Sequence, residues 1–106
     1  MLKITVVESR RQRRLIVEGR LIAPWAAELA SAYETAKTDL EERELVVDLR
    51  SLTAISPEGE AVLLQLMHEK ARFLCGVYTR EVLKELARKT SRNFREAADE
   101  SLDFDC

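Results

Sequence analysis

The chain has few of the residues that interrupt regular structure or bind metals. Its 106 residues include 3 glycines, 2 prolines, 2 cysteines and 1 histidine. So little glycine and proline argues against a loop-rich or disordered chain. The spacing of Cys75 and Cys106 makes neither a disulfide framework nor a zinc site. A single histidine supplies too few ligands for a metal, so we expect no metal and no cofactor.

An excess of one charge sign is also missing. The 17 lysines and arginines are balanced by 19 aspartates and glutamates, for a net charge of -2. Nucleic-acid-binding modules usually carry a large basic excess, so DNA and RNA are not expected partners. No apolar run approaches the ~20 residues of a membrane span, and residues 1–7 read as a strand rather than a signal peptide. We therefore expect a soluble, cytoplasmic protein with no membrane partner.

The sequence lacks the common catalytic motifs. It has no nucleophile elbow, no glycine-rich phosphate loop and no dinucleotide fingerprint. His68 lies late in a predicted helix and has no cysteine near it in sequence, so we interpret it as a helix-flank residue. Asp48 resembles the phosphate acceptor of receiver domains, but these need a pair of acids after the first strand, where only Glu8 stands. We expect no catalytic residue and no enzyme activity.

The apolar pattern predicts a single α/β domain over 1–90. The predicted strands are 3–8, 14–21, 44–49 and 71–75, and the predicted helices are 24–42, 57–68 and 80–90, the last capped by Thr79. A short polar link favours an antiparallel hairpin of the first two strands, and the later alternation implies parallel pairing through right-handed crossovers. Residues 91–106 form an acidic extension, for which a short helix and disorder both stay open.

Two further features each allow a structural and a functional interpretation. Arginines stand at positions 10, 11, 13 and 14, in or beside the turn between the first two strands. They predict a solvated turn, with an anion or lipid-headgroup patch as the alternative. In the first helix an apolar stripe recurs at helical spacing: Trp25, Leu29, Tyr33, Ala36 and Leu40. It predicts core packing, with a binding platform at Trp25 and Tyr33 as the alternative.

The stretch from Asp48 to Gly59 joins the third strand to the second helix. The strand Leu45–Val47 is apolar and β-branched, as in a strand covered on both faces. Ser56, Pro57 and Glu58 then form a helix start. Serine accepts a bond from a free backbone N–H, proline loses no bond at the first helical position, and glutamate is favourable at the positive end of the dipole. Ligands and partners bind at such strand-to-helix loops.

Around this stretch the chain resembles a STAS domain, the fold of the anti-sigma-factor antagonists and of sulfate-transporter tails. In that family a strand ending in Asp-Leu is followed, about six residues on, by Asp-Ser-Ser/Thr-Gly at a helix start. The matching segments are Val47-Asp48-Leu49, the apolar approach Leu52-Thr53-Ala54-Ile55, Gly59, the earlier Gly19-Arg20-Leu21, and Phe73-Leu74-Cys75-Gly76-Val77. The resemblance covers roughly residues 3–90.

The resemblance implies a mixed sheet of four to five strands with an N-terminal β-hairpin and three to four helices. It also implies a non-catalytic regulatory domain that binds a protein, with an anti-sigma factor or a serine-kinase-like regulator as the partner. A homodimer stays open. In the antagonists a partner kinase phosphorylates a hydroxyl of the motif, and the modified form releases the partner. Here Ser56 replaces the aspartate, and Pro57 and Glu58 replace the hydroxyl residues.

Two interpretations of this departure stay open. Glu58 mimics the phosphorylated form, although with about one charge where phosphate carries nearly two, or the switch is lost and the loop is a plain helix cap. Gly59 is costly in a first helical turn, which close approach of a partner or of neighbouring backbone would explain. We predict contact through loop 53–60, with Ser56, Pro57, Glu58 and Gly59 as the partner-binding residues. The alternative is a regulatory module that binds a small ligand, nucleotide or anion at the helix dipole.

Overall fold

The structure, a computed structural model, describes the backbone of residues 1–93 and the side chains of residues 1–89. The elements are β1 (Leu2–Glu8), β2 (Gln12–Leu21), α1 (Ala26–Ala36), β3 (Glu44–Ile55), α2 (Pro57–His68), β4 (Arg72–Leu74) and α3 (Val77–Asn93). The strands form one sheet in the order β1-β2-β3-β4. β1 and β2 form the predicted antiparallel hairpin, and the other neighbours are parallel. The predicted mixed α/β fold is confirmed.

The core lies on one face of the sheet. One cluster joins inward side chains of the strands to buried side chains of the helices; it includes Leu15, Val17, Leu21, Val47, Leu49, Leu52 and Phe73 from the strands, and Leu29, Tyr33, Leu63, Leu66, Met67, Leu83 and Leu86 from the helices. Val46 and Asp48 alternate with these residues and point to the opposite face. Val46 is buried yet lies outside the cluster. Residues 46–49 of β3 are therefore buried on both faces, as expected, and within residues 1–93 the helical core lies on one of the two faces.

β3 is longer than the predicted 44–49. It continues to Ile55 because the register against β2 shifts at Ile16/Glu18 and again at Gly19/Arg20. Such bulges absorb an extra residue without ending the pairing, so the polar Arg50 and Ser51 stay in the strand. As a result Asp48 lies inside β3 rather than at its end, and the predicted contact loop 53–60 is shared between the end of β3 and the start of α2.

α1 is shorter at both ends than the predicted 24–42. Residues 22–26 form a turn, closed by the N–H of Ala26 donating to the carbonyl oxygen of Ile22 at 2.9 Å, so Pro24 precedes the helix. Beyond the helix, three acidic residues have left-handed backbone angles that cannot continue it: Asp39 (φ 55°), Glu41 (φ 53°) and Glu42 (φ 72°). Tyr33 is buried in the core and Trp25 packs against it, as the core interpretation of the stripe predicts.

Arg13 holds the carboxyl end of α1. Its Nη1 donates to the carbonyl oxygens of Ala36, at 2.9 Å, and Thr38, at 2.8 Å. Arg43 donates from Nε to the carbonyl oxygen of Leu40 at 2.9 Å, and both guanidinium groups pair with Glu8. The bond to Ala36 satisfies a helix-end carbonyl that has no partner within the helix, and the bonds to Thr38 and Leu40 hold the loop that follows.

The arginines predicted as one turn or patch are therefore divided. Arg10 and Arg11 are exposed, as a solvated turn predicts. Arg13 packs against α1 on the helical face, while Arg14 contacts Gln12 on the opposite face of the sheet. The arrangement does not form a single anion-binding surface.

The second half of the domain agrees more closely with the sequence. α2 has its predicted bounds, whereas α3 begins at Val77 rather than 80 and includes Thr79. Thr79 caps from inside the helix, since its Oγ1 accepts the N–H of Gly76 at 2.9 Å. α3 passes the predicted domain end at 90 and continues to Asn93; the rest of the predicted extension, 94–106, lies outside the described residues. In the described part of the chain, no helix is long and apolar enough to cross a membrane.

Candidate functional site

Ser56 connects the end of β2 to the start of α2. Its N–H donates to the carbonyl oxygen of Leu21 at 3.0 Å, and its own carbonyl accepts the N–H of Glu60 at 2.8 Å as the first helical bond. Its extended backbone is that of an N-cap, and its Oγ accepts the N–H of Gly59 at 3.3 Å. Ser56 therefore caps the helix as predicted, and it fixes the helix start against the sheet.

Glu58 turns back onto the helix start. The carboxylate accepts hydrogen bonds from its own backbone N–H and from the Ser56 side chain, and these lower the pKa of Glu58 below its usual value. The side chain is exposed, and Glu60 adds a second carboxylate in the same turn. Because the amino end of a helix carries a partial positive charge, it stabilises these anions. The first turn of α2 thus presents a negative charge that persists at neutral pH.

Gly59 faces the interior of the domain. A Cβ at this position would overlap the carbonyl oxygen of Leu21 and would stand 2.9 Å from Leu21 Cγ and 3.1 Å from Ile55 Cγ2. Close approach of neighbouring backbone, one of the two explanations that the sequence allowed, accounts for this glycine. Gly59 is buried, so it positions the helix and offers no surface to a partner.

The predicted site residues are therefore adjacent, but they differ in their exposure to solvent. Pro57 and Glu58 are exposed, Ser56 is half-buried, and Gly59 is buried. A surface that could meet another molecule is formed by Pro57 and Glu58, with Ser56 and Gly59 holding it in place. Contact with a partner through these residues stays a prediction.

Two exposed residues at the start of α3 were missed by the sequence reasoning. Val77 and Tyr78 begin α3 and are 84% and 45% exposed, which is unusual for large apolar side chains at a helix start. Tyr78 and Glu60 line the same cavity, of about 240 Å³, between α2 and α3. The available signal was their position: they precede the buried pair Leu83 and Leu86 and do not belong to that apolar stripe.

Asp48 is engaged by Arg50 on the face of the sheet away from the helices. Arg50 donates from Nη2 to Oδ2 at 2.8 Å, from Nε to Oδ1 at 3.0 Å, and from its backbone N–H to Oδ1 at 3.1 Å. The guanidinium hydrogen bonds hold the pKa of the buried Asp48 carboxyl below its usual value. Glu8 pairs with Arg13 on the helical face. The two acids lie on opposite faces of the sheet, so they do not form the acidic cluster of a receiver domain.

The other candidate chemical groups are also separated. His68 ends α2 and is exposed, whereas Cys75 follows β4 and lines a cavity with Gly76, Val77 and Arg80 that does not include His68. Among the described residues no three His, Cys, Asp or Glu side chains are grouped as a metal would require. At the start of α2, Ser56 and Glu58 already bind backbone N–H groups that an anion would use. The arrangement therefore does not favour the alternative of an anion or nucleotide site.

Comparison with known proteins identifies the fold. No protein-family profile matches the sequence, and no curated protein does. The chain is similar to a crystal structure of an uncharacterized protein of the DUF3478 family, with a SpoIIAA-like fold, from Shewanella loihica PV-4. The two are 14% identical, the match covers 94% of this chain and 93% of that chain, and the TM-score is 0.51. The likeness confirms the STAS resemblance at the level of architecture: this chain has the SpoIIAA-like fold of the anti-sigma antagonists.

Proposed function

We propose that the domain is a non-catalytic regulatory module that binds another protein through the exposed first turn of α2, Pro57 and Glu58. The SpoIIAA-like fold supports a domain like an anti-sigma factor antagonist. The partner expected on that basis is an anti-sigma factor or a serine-kinase-like regulator. A cytoplasmic location belongs to the same proposal.

The observation that carries the proposal is the state of Glu58. It is exposed at the helix start where STAS antagonists present a phosphorylatable hydroxyl, and its pKa is lowered by the Ser56 side chain and its own N–H. The carboxylate bears about one charge, against nearly two for phosphate, and it is directed into the helix cap. These features support the plain-cap interpretation over phosphate mimicry. We infer a constant recognition surface with no phosphorylation switch.

The neighbouring surface suggests what the partner offers. Tyr78, which lines a cavity with Glu60, adds exposed aromatic area, and Glu58 and Glu60 add negative charge. Interfaces commonly surround an apolar or aromatic anchor with a polar rim. A partner with basic side chains around an apolar patch would match this surface in both respects.

Binding assays with charge-reversed variants test the proposal. Candidate anti-sigma factors and serine-kinase-like regulators from the source organism are titrated against the wild-type chain, Glu58→Lys and Glu42→Lys. Glu42 is exposed in the loop after α1, so Glu42→Lys makes the same charge change away from α2. We expect a specific partner whose binding is weakened at least about tenfold by Glu58→Lys and little by Glu42→Lys. Equal loss in both variants, or no protein partner, would contradict the proposal.

A kinase assay tests the absence of the switch. After incubation with an anti-sigma-type serine kinase, mass spectrometry should find no phosphate at positions 57 or 58 of the wild-type chain, because neither residue has a hydroxyl. Glu58→Ser restores a hydroxyl at the site and serves as the comparison. Phosphate on Ser56 of the wild-type chain would show that the switch exists in shifted form.

A further inference from the structure

Within residues 1–93, β1 is an edge strand that pairs on one side only, with β2. The N–H of Ser9 donates to Gln12 O at 2.8 Å and the N–H of Arg20 donates to Met1 O at 3.3 Å, which places the odd-numbered backbone groups of this strand toward β2. In an antiparallel pair the alternate residues point the other way. The N–H and C=O groups of Leu2, Ile4, Val6 and Glu8 therefore point away from the sheet.

This edge lacks the features that usually protect an edge strand. Natural edges carry prolines, bulges or several charges that discourage pairing with another chain. β1 has no proline, its register with β2 is unbroken over its whole length, and its one lysine, Lys3, lies across from Glu18. Val6 is 51% exposed and Val7 is 45% exposed, one on each face of the strand. Among the described residues this edge is therefore regular and unpaired, and it carries apolar side chains at Ile4, Val6 and Val7 between the charged Lys3 and Glu8.

A groove of about 590 Å³ lies beside the same edge. Ile4 and Val6 line its apolar part together with Ala32 and Ala36 of α1, and the charged residues Glu8, Arg13, Glu28 and Asp39 also line it. Ile4 and Val6 are also residues whose backbone groups point outward. A strand that paired with β1 would therefore place its own side chains over this groove.

We propose that β1 pairs with β1 of a second copy of this chain, antiparallel and about a twofold axis at Thr5. Opposite residues in an antiparallel pair share a face, so a symmetric pair must be centred on one residue. Centring on Thr5 sets Ile4 opposite Val6 and Leu2 opposite Glu8, each twice, and uses every outward backbone group. Centring on Ile4 or Val6 would leave outward groups unpaired at one end.

A second copy fits the centre of this edge because its apolar side chains meet there in the symmetric register. In the Thr5-centred register, apolar Ile4 and Val6 of the copies meet on the groove side, and Lys3 meets Val7 on the other face. The result is one continuous sheet of eight strands, with the grooves of the copies facing each other across the axis. The inference does not depend on the proposed function, since β1 contributes nothing to the first turn of α2.

Sedimentation velocity over a range of concentrations tests the pairing. The wild-type chain should reach twice its 12.1 kDa mass. Val6→Pro should remain monomeric, because proline removes an outward N–H but no bond to β2, a position that edge strands tolerate. Val6→Thr keeps the N–H and should still dimerise. A wild-type chain that is monomeric throughout, or a dimer that persists in Val6→Pro, overturns the inference.

Charge variants at Val7 test the register without relying on proline. In Val7→Glu, the new carboxylate of each copy lies opposite Lys3 of the other copy, which gives two attractive contacts. In Val7→Lys, the new ammonium group of each copy lies opposite Lys3 of the other, which gives two repulsive contacts. We expect the dimer of Val7→Glu to dissociate with a Kd about tenfold lower than that of Val7→Lys. Circular dichroism verifies that both variants fold. Equal dissociation constants would overturn the Thr5-centred register.

Cross-linking gives an independent measurement. The Thr5 side chains would be opposed across the axis at a non-hydrogen-bonded pair, where Cβ atoms are about 5 Å apart. Thr5→Cys should give a disulfide-linked dimer under mild oxidation, well above the background of the wild-type chain. Lys3→Cys, which would face Val7, should not exceed that background. Equal cross-linking in the two variants would count against the proposed axis.

Discussion

Gly59 lies where α2, β2 and β3 are closest. Alanine is intrinsically about 1 kcal/mol better than glycine inside a helix. Here, however, its Cβ would overlap Leu21 O and crowd Ile55. We expect Gly59→Ala to lower the free energy of unfolding by about 1–3 kcal/mol, because overpacking outweighs propensity.

Urea denaturation measures this effect, and Gly76→Ala is the matched control. A Cβ on Gly76 would lie 3.5 Å from Arg50 O, an ordinary contact. Because Gly76 precedes α3, its replacement should cost no more than about 1 kcal/mol of capping preference. Stabilisation by Gly59→Ala would show that the helix is free to move away from Leu21.

Asp48 gives the domain a defined sensitivity to acid. Its folded-state pKa is lowered, chiefly by hydrogen bonds from the Arg50 guanidinium. A lowered pKa contributes stability that is complete above the unfolded value of about 3.9 and is lost as pH falls through the folded value. We expect the urea concentration at the unfolding midpoint to decrease as the pH is lowered below about 4. The decrease should be smaller in Asp48→Asn. Glu42→Gln, which removes an exposed carboxylate, should keep the wild-type pH profile.

At the scale of elements, the carboxyl end of α1 depends on Arg13. Its side chain is 11% exposed, and it donates to Ala36 O and Thr38 O. We expect Arg13→Ala to lower the free energy of unfolding by about 1–3 kcal/mol, because it leaves the partly buried carbonyl of Ala36 unpaired. Arg13→Lys should recover only part of this, since an ammonium cannot reproduce the planar fork.

Hydrogen exchange locates the effect. In Arg13→Ala, faster exchange should appear first in the amides near the end of α1 and in the following loop. Arg11→Ala changes an exposed side chain in the preceding turn and should alter stability by less than about 0.5 kcal/mol. Uniformly faster exchange across the sheet would indicate that Arg13 supports the whole fold rather than the helix end.

The same elements show which features the sequence determines locally. Ser56 and Pro57 are sufficient to start α2, because capping and the fixed proline φ act within one turn. The predicted end of α1 was wrong because the helix end depends on Arg13, which is distant from it in sequence and contacts it only in the fold. The predicted carboxyl end of β3 was wrong because the strand continues through bulges in its pairing with β2. The polar residues of this stretch, such as Arg50, give no sign of that pairing.

The candidate site shows the same division: features that depend on neighbouring residues in sequence were predicted, and features that depend on contacts between distant segments were not. The cap formed by Ser56 and the exposure of Glu58 follow from local chemistry, and both were expected. The burial of Gly59 depends on the approach of Leu21 from another strand, so the sequence left its cause open. Tyr78 was missed because its proximity to Glu60 arises from the packing of α3 beside α2.

At the scale of the whole molecule, the described residues form two layers, with helices on one face of the sheet. Two adjacent residues of β3 have their side chains on opposite faces of the sheet. Val47 is fully buried within the core cluster, and Val46, at 6% exposure, lies outside it. Similar burial thus occurs both inside the core cluster and outside it, on the face away from the helices.

Parallel truncations of these valines distinguish one covered face from two. We expect Val47→Ala to lower the free energy of unfolding by about 2–3 kcal/mol, since it removes core methyl groups and leaves a cavity. Val46→Ala should cost about 1 kcal/mol, because flexible side chains can settle over the space. Urea unfolding of both variants under the same conditions gives the comparison. If Val46→Ala costs as much as Val47→Ala, the open face is packed by a further layer, and the two-layer description fails.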